Sequence, residues 1–128
     1  MIGTNGTKAI LVVDDNEDLR EAAAALLSQL GYNVSEAKDG PSALKVLGQD
    51  GNGVDLVFSD VHMPPGMNGF ELAQELHRRY PHIKTLLTSG FPGMFFDKNG
   101  IGGAGFTVLC KPYMKADLAE ALRAALNP

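Results

Sequence analysis

The chain has 128 residues, 45% hydrophobic and 20% charged, with 15 glycines and 7 prolines, the balance of one soluble globular domain long enough to bury a real core. A formal charge of −4 offers no basic footprint, which argues against direct nucleic acid binding, and no apolar run approaches the roughly 20 residues that a membrane span needs. A single cysteine, Cys110, excludes an internal disulfide; lying in an apolar run, it reads as a plain buried thiol in a reduced compartment. With no hydrophobic signal region at the N-terminus, a cytoplasmic protein is expected.

Residues 1–7 read as a tail or linker, and strand and helix patterns alternate through residues 8–128, as in an α/β domain with a mainly parallel sheet. The first strand runs from about Lys8 to Val13. Leu19, Ala22, Ala23, Leu26, Leu27 and Leu30 then recur at three- and four-residue steps, predicting an amphipathic helix over Glu17 to Leu30 with Asn16 as N-cap and Gly31 as stop. Asn33 to Ala37 is a short second strand. Asp39-Gly40-Pro41 opens a second helix that ends near Leu47, with Pro41 at its first position, and a loop over residues 49–53 leads into a third strand, Val54 to Ser59. Two prolines and a glycine make His62 to Asn68 irregular. Gly69 to Arg79 is the third helix, with Phe70, Leu72, Ala73 and Leu76 inward. Ile83 to Leu87 is the fourth strand, running into Thr88-Ser89-Gly90, and Phe106 to Cys110 is the fifth, ending at Lys111-Pro112. The stripe Leu118, Ala121, Leu122, Ala125, Leu126 marks the last helix. Between the fourth and fifth strands, six glycines among the 16 residues 90–105 leave at most a short or irregular helix. Gly100, Gly102 and Gly105 match a dinucleotide fingerprint formally, but they precede a strand instead of following one.

In a parallel α/β sheet functional groups gather beyond the carboxyl ends of the strands. There the chain places Asp14 and Asp15 after strand one, Asp60 after strand three, Thr88 after strand four and Lys111 after strand five. Any one of them has a plain structural explanation as a cap, a turn or a solvated charge. Five at the corresponding ends of four strands do not. Three close carboxylates call for a cation, and an all-oxygen ligand set without His or Cys spacing favours Mg²⁺ over zinc. Thr88 and Lys111 supply the hydroxyl and the second positive charge that a transferring phosphoryl group requires. Asp60 is the candidate nucleophile, since a carboxylate can form an aspartyl-phosphate; Asp14 and Asp15 suit metal holding.

On VVDDN (12–16), SDVHMPPGMNG (59–69), LLTSG (86–90) and CKPY (110–113), in that order, the sequence strongly resembles the receiver domain of two-component response regulators, from about Lys8 to Leu126. The resemblance implies a doubly wound, flavodoxin-like five-stranded parallel sheet of order 2-1-3-4-5, with Asp60 as phosphoacceptor and Mg²⁺ held by Asp14, Asp15, Asp60 and the backbone carbonyl of His62. Thr88 and Lys111 would contact phosphoryl oxygens, and the Lys111–Pro112 bond would be cis. It further implies phosphoryl transfer from a histidine kinase or histidine phosphotransfer protein, with the domain catalysing its own phosphorylation and dephosphorylation, and docking through Asn16 to Arg20 and Lys111 to Met114. The loop after Asp60 carries an additional Pro65-Gly66, the form found in receivers joined to hybrid histidine kinases. Val108 stands where the family usually has an aromatic that moves with phosphorylation.

Two other functions compete. One is an interaction module that keeps the fold without phosphorylation. The other is a small phosphatase, which would carry Asp-x-Asp at the end of strand one, whereas this chain has adjacent Asp14-Asp15. His77 and His82 have no ligand partner at useful spacing and read as surface residues.

Overall fold

The computed structural model describes residues 8–48, 53–63, 66–90 and 107–126. Five strands, β1 (Ala9–Val13), β2 (Asn33–Ala37), β3 (Leu56–Asp60), β4 (Lys84–Ser89) and β5 (Val108–Cys110), alternate with helices α1 (Glu17–Gln29), α2 (Gly40–Leu47), α3 (Gly69–Arg79) and α4 (Lys115–Leu126). The strands are all parallel and lie in the order β2-β1-β3-β4-β5, as the sequence resemblance implies. The N-terminal tail, the loop at 49–52, Pro64-Pro65, the glycine-rich stretch 91–106 with Phe106, and the short or irregular helix expected within it lie outside the described residues.

Strand alternation divides the core into two layers. Leu11, Val13 and Val57 pack against Ala43 and Leu47 of α2 and Leu72 and Leu76 of α3. Ile10, Val12, Leu56, Phe58 and Leu86 pack against Ala23 and Leu27 of α1 and Leu118 and Leu122 of α4. The sheet is thus covered on both faces, which is why its central strands read as continuous apolar runs. Each fully buried Leu, Ile or Phe here contributes roughly 1.5–3 kcal/mol of transfer free energy.

Local chemistry sets the helix starts. Asn16 Oδ1 accepts from the Leu19 amide at 3.0 Å, Asp39 Oδ1 from Ser42 at 2.8 Å, and Asn68 and Glu71 form a reciprocal capping box, both bonds 2.8 Å; each cap is worth about 1 kcal/mol. Gly31, with φ +99°, takes the left-handed turn after α1 that side chains disfavour.

Several expectations shift. The second helix begins at Gly40, so Pro41 is its second residue. The third strand begins at Leu56, because Asp55 closes the register below it: its carboxylate accepts from the Ala9 amide at 2.8 Å and its own amide donates to the Ala9 carbonyl. The fourth strand extends through Thr88 and Ser89. Cys110 is exposed, not buried: β5 is the edge strand, and of its residues only Val108 is buried. Leu19 is 49% exposed and Ala22 is also exposed, so the inner face of α1 runs through Ala23, Ala24 and Leu27.

Candidate functional site

Asp14 follows Ile10 and Val12 in strand parity, Asp60 follows Leu56 and Phe58, Thr88 follows Leu86, and Lys111 follows Leu109. All the parent residues belong to the α1/α4 layer. The polar groups therefore extend one row of the core outward at the carboxyl ends of four adjacent strands, Asp60 and Thr88 within the last residues of β3 and β4, Asp14 and Lys111 just past β1 and β5. Asp60 stands opposite Thr88 in the β3–β4 register, and Thr88 opposite Leu109 in β4–β5.

The three acids come together, with one carboxylate oxygen each from Asp14, Asp15 and Asp60 within 4.8 Å of one another. Asp14 is 7% exposed, Asp60 9%, and Asp15 is open to solvent. Burial pushes the Asp14 carboxyl above the ordinary range; the Asn16 amide, bonded to its Oδ1 at 3.0 Å, opposes the rise, and the Asp60 charge adds to it. Such a corner is poised for a cation, and its donors are hard oxygens.

Lys111 approaches from the far side, its Nζ 3.4 Å from Asp60 Oδ2. Its amide donates to the Ser89 carbonyl at 2.8 Å, and the Lys111–Pro112 bond is cis, as the resemblance implies. Thr88 is 3% exposed, but its hydroxyl is turned sideways and donates to the Leu109 carbonyl at 2.9 Å. The His62 amide donates to Asp60 Oδ1 at 3.4 Å, a long bond, while the residue itself is exposed. His77 and His82 lie exposed elsewhere. Val108 is buried with Val61, Ala73 and Leu87, beside Phe70, so this position holds a small side chain packed into the core.

Three contributors had no role beside the acids in the sequence reading. Gly69 heads α3, where a Cβ would sit 2.4 Å from the Asp60 carbonyl oxygen and 2.8 Å from Val61 Cα. The helix start thus rests directly on the backbone of the central acid, and the Gly69 amide donates to the Val61 carbonyl at 2.8 Å. Tyr113 packs edge-on against Phe58, ring centroids 6.0 Å apart; burial first, then the Asp14 and Asp60 charges, raise its hydroxyl pKa. Arg20 bonds the Asp14 carbonyl at 3.0 Å. A glycine directly after the Asn68 cap was a usable signal for the first of these; the others depend on contacts across the fold. Beside the acids opens a cavity of about 540 Å³, walled largely by Leu19, Ala22, Leu26, Phe58, Pro112 and Tyr113, which is where the apolar residues of α1 missing from the core are directed.

The family model for the response regulator receiver domain matches residues 10–123. The chain belongs to that family. Among relatives of this receiver domain, the sensor kinase CckA of Brucella abortus (strain 2308) is 35% identical over 123 residues, 96% of this chain and 13% of that protein. The chain thus spans a small part of that kinase. A response regulator receiver domain protein from Clostridium thermocellum superposes with a TM-score of 0.81 at 27% identity, covering 94% of each chain. The response regulator TrrA of Thermotoga maritima, solved in complex with Mg(2+)-BeF, gives 0.79 at 30% identity, covering 93% of this chain and 99% of that one. Among the described residues, no helix is long and apolar enough to cross a membrane.

Proposed function

We propose that this receiver domain accepts a phosphoryl group on Asp60 from a phosphohistidine of a histidine kinase or histidine phosphotransfer protein, in a Mg²⁺-dependent reaction. The observation that carries the reading is the convergence on one buried carboxylate: Asp60 has two further acids within 4.8 Å and an ammonium at 3.4 Å. The ligand set fits Mg²⁺ in chemistry, since Asp14, Asp15 and Asp60 offer hard oxygens and Asp14 is a carboxylate that burial and like charge leave in need of a cation. The carbonyl of His62 would complete the protein's share. When bound, the ion neutralises the acidic corner and offsets the negative charge of the phosphoryl oxygens.

The chain's own groups do the rest. An Asp60 carboxylate oxygen attacks phosphorus; the O–P bond forms as the P–N bond to the imidazole breaks, and the electron pair stays with the leaving nitrogen. Lys111 is placed to leave its ion pair with Asp60 for a phosphoryl oxygen. Thr88 has to rotate its hydroxyl away from the Leu109 carbonyl to donate to another. Burial of Asp60 and Asp14 strengthens each of these contacts relative to water. Position in a cytoplasmic phosphorelay follows from the same reading.

The test is labelling of Asp60 by a phosphoryl donor. A hydroxylamine-sensitive mass increase of one phosphoryl group, dependent on Mg²⁺ and absent in Asp60→Asn, is expected; labelling that persists in that variant refutes the assignment. The orientation of the Thr88 hydroxyl favours a second reading, a module that acts without phosphorylation. A titration with no binding of Mg²⁺ or beryllofluoride would select it.

A further inference from the structure

Arg20 takes part in none of the steps above, yet it reaches the acidic corner from behind. In the first turn of α1, it sends Nη1 to the carbonyl oxygen of Asp14 at 3.0 Å and Nε to Glu36 Oε1 of β2 at 3.1 Å. Its side chain is 17% exposed. We propose that Arg20 is a positioning residue for the metal-holding pair, its guanidinium fixing the Asp14–Asp15 peptide so that the Asp15 carboxylate is presented to the cation.

The inference rests on the reading that Asp14 and Asp15 hold Mg²⁺. Three successive peptide groups at this corner have fixed partners. The Asp14 amide donates to the Ala37 carbonyl at 3.2 Å; the Asp14 carbonyl accepts from Arg20; and the Asn16 amide donates to Asp14 Oδ1 at 3.0 Å. Asp15 lies between the last two. Its side chain is exposed, so its direction is inherited from the two peptide planes on either side, and Arg20 is the side-chain group that holds the first of them.

The guanidinium suits this task in a way an ammonium does not. Its rigid fork holds two acceptors at a set angle, whereas lysine presents a compact charge on a flexible stem. Glu36 does more than anchor the fork: pairing offsets the charge of Arg20, so that an added cation beside Asp14 meets less repulsion. Glu36 faces Val12 in the β1–β2 register, which ties the clamp to the same strand that ends in the acids.

The sign of the effect separates positioning from electrostatics. Removing a positive charge close to a cation site should tighten Mg²⁺ binding if charge were all that mattered. Loss of an outer residue that orients a ligand instead weakens metal affinity about 10–100-fold. The experiment is Mg²⁺ titration of the wild type, Arg20→Met, Arg20→Lys, Glu36→Gln and Asp15→Asn, followed by amide NMR on protein whose folding is checked by circular dichroism. We expect Arg20→Met to raise the Mg²⁺ Kd about tenfold or more with little dependence on salt, Arg20→Lys to give no rescue, and the Asn16 amide of the metal-free Arg20→Met protein to exchange faster while β3 amides are unchanged. Glu36→Gln keeps an acceptor for the fork, and is expected to weaken binding less, in a manner that salt screens. Binding by Arg20→Met as tight as the wild type, or tighter, overturns the inference, as does full rescue by Arg20→Lys. Should Asp15→Asn bind Mg²⁺ normally, the functional reading itself fails; should Asp15→Asn lose binding while Arg20→Met keeps it, only the positioning role fails.

Discussion

Gly69→Ala is the substitution whose outcome the structure constrains most closely. A methyl group at residue 69 would lie 2.4 Å from the Asp60 carbonyl oxygen, 2.8 Å from Val61 Cα and 3.0 Å from the Asp60 carbonyl carbon. Reaching even 3.0 Å from the oxygen requires a shift of about 0.6 Å, and the atoms in the way are backbone, with no side-chain rotation to relieve them. Overpacking of this kind costs about 1–3 kcal/mol, while alanine gains at most about 1 kcal/mol over glycine in helix propensity, and less at a first position. The net expectation is a loss of about 1–2 kcal/mol, or roughly 3–10 °C in Tm for a domain of this size. Because the displaced backbone carries Asp60, Mg²⁺ affinity should fall along with stability. Gly31→Ala, strained by φ +99° but with open space around its Cβ, should lose about 1 kcal/mol and leave Mg²⁺ affinity unchanged. Urea unfolding paired with Mg²⁺ titration reads both quantities. A Gly69→Ala protein as stable as the wild type would show that the contact between α3 and the end of β3 is softer than argued.

Asp14→Asn should stabilise the metal-free protein at neutral pH. Burial and the Asp60 charge raise the folded pKa of Asp14, so the folded state binds its proton more tightly than the unfolded state does. Stability from this group is therefore present at low pH and lost as pH rises from the ordinary Asp value through the raised one. The advantage of Asn should be seen above that window and vanish below it in denaturant titrations across pH; a constant gap would refute the linkage. Lys111→Met, which removes the cation 3.4 Å from Asp60, should slow phosphorylation about 100-fold or more, measured by single-turnover labelling, and should raise the Asp14 pKa further, since Lys111 lowers it. Mg²⁺ should move the titration of Tyr113 down toward the ordinary tyrosine value by offsetting the Asp14 and Asp60 charges that help to raise it. Ultraviolet titration against Tyr113→Phe isolates that signal, and no shift would place the ion elsewhere.

The strand-end residues were legible because a strand has a period of two and a parallel sheet brings equivalent ends together: Asp14, Asp60, Thr88 and Lys111 needed no more than that rule. The order of the strands came from the resemblance, because alternating strands and helices alone do not dictate it. The Asn16 cap was visible as local chemistry, whereas the second helix, expected to start at Pro41, is capped one residue earlier by Asp39. The face of α1 was misjudged at Leu19 and Ala22, since periodicity marks apolar residues without saying whether core or cavity receives them. Cys110 was misjudged because an apolar run at an edge strand looks like one in the middle. Arg20 lies 16 residues from Glu36, and no local pattern predicts that pairing. The Thr88 hydroxyl, expected at the reaction centre, lines the same cavity as Asp60 and donates to the neighbouring strand's Leu109 carbonyl, a bond that no local pattern predicts.

The sheet order has a consequence for how the protein is made. β1 and β3 are neighbours in it, although α1, β2 and α2 intervene in the chain, so Asp14 and Asp60 cannot meet until that crossover has closed. A partly assembled chain lacks the cluster of Asp14, Asp15 and Asp60 altogether. On the proposed reading, magnesium would then favour only the finished molecule, adding stability in proportion to the logarithm of its concentration above Kd, and ion affinity would become a measure of completed assembly.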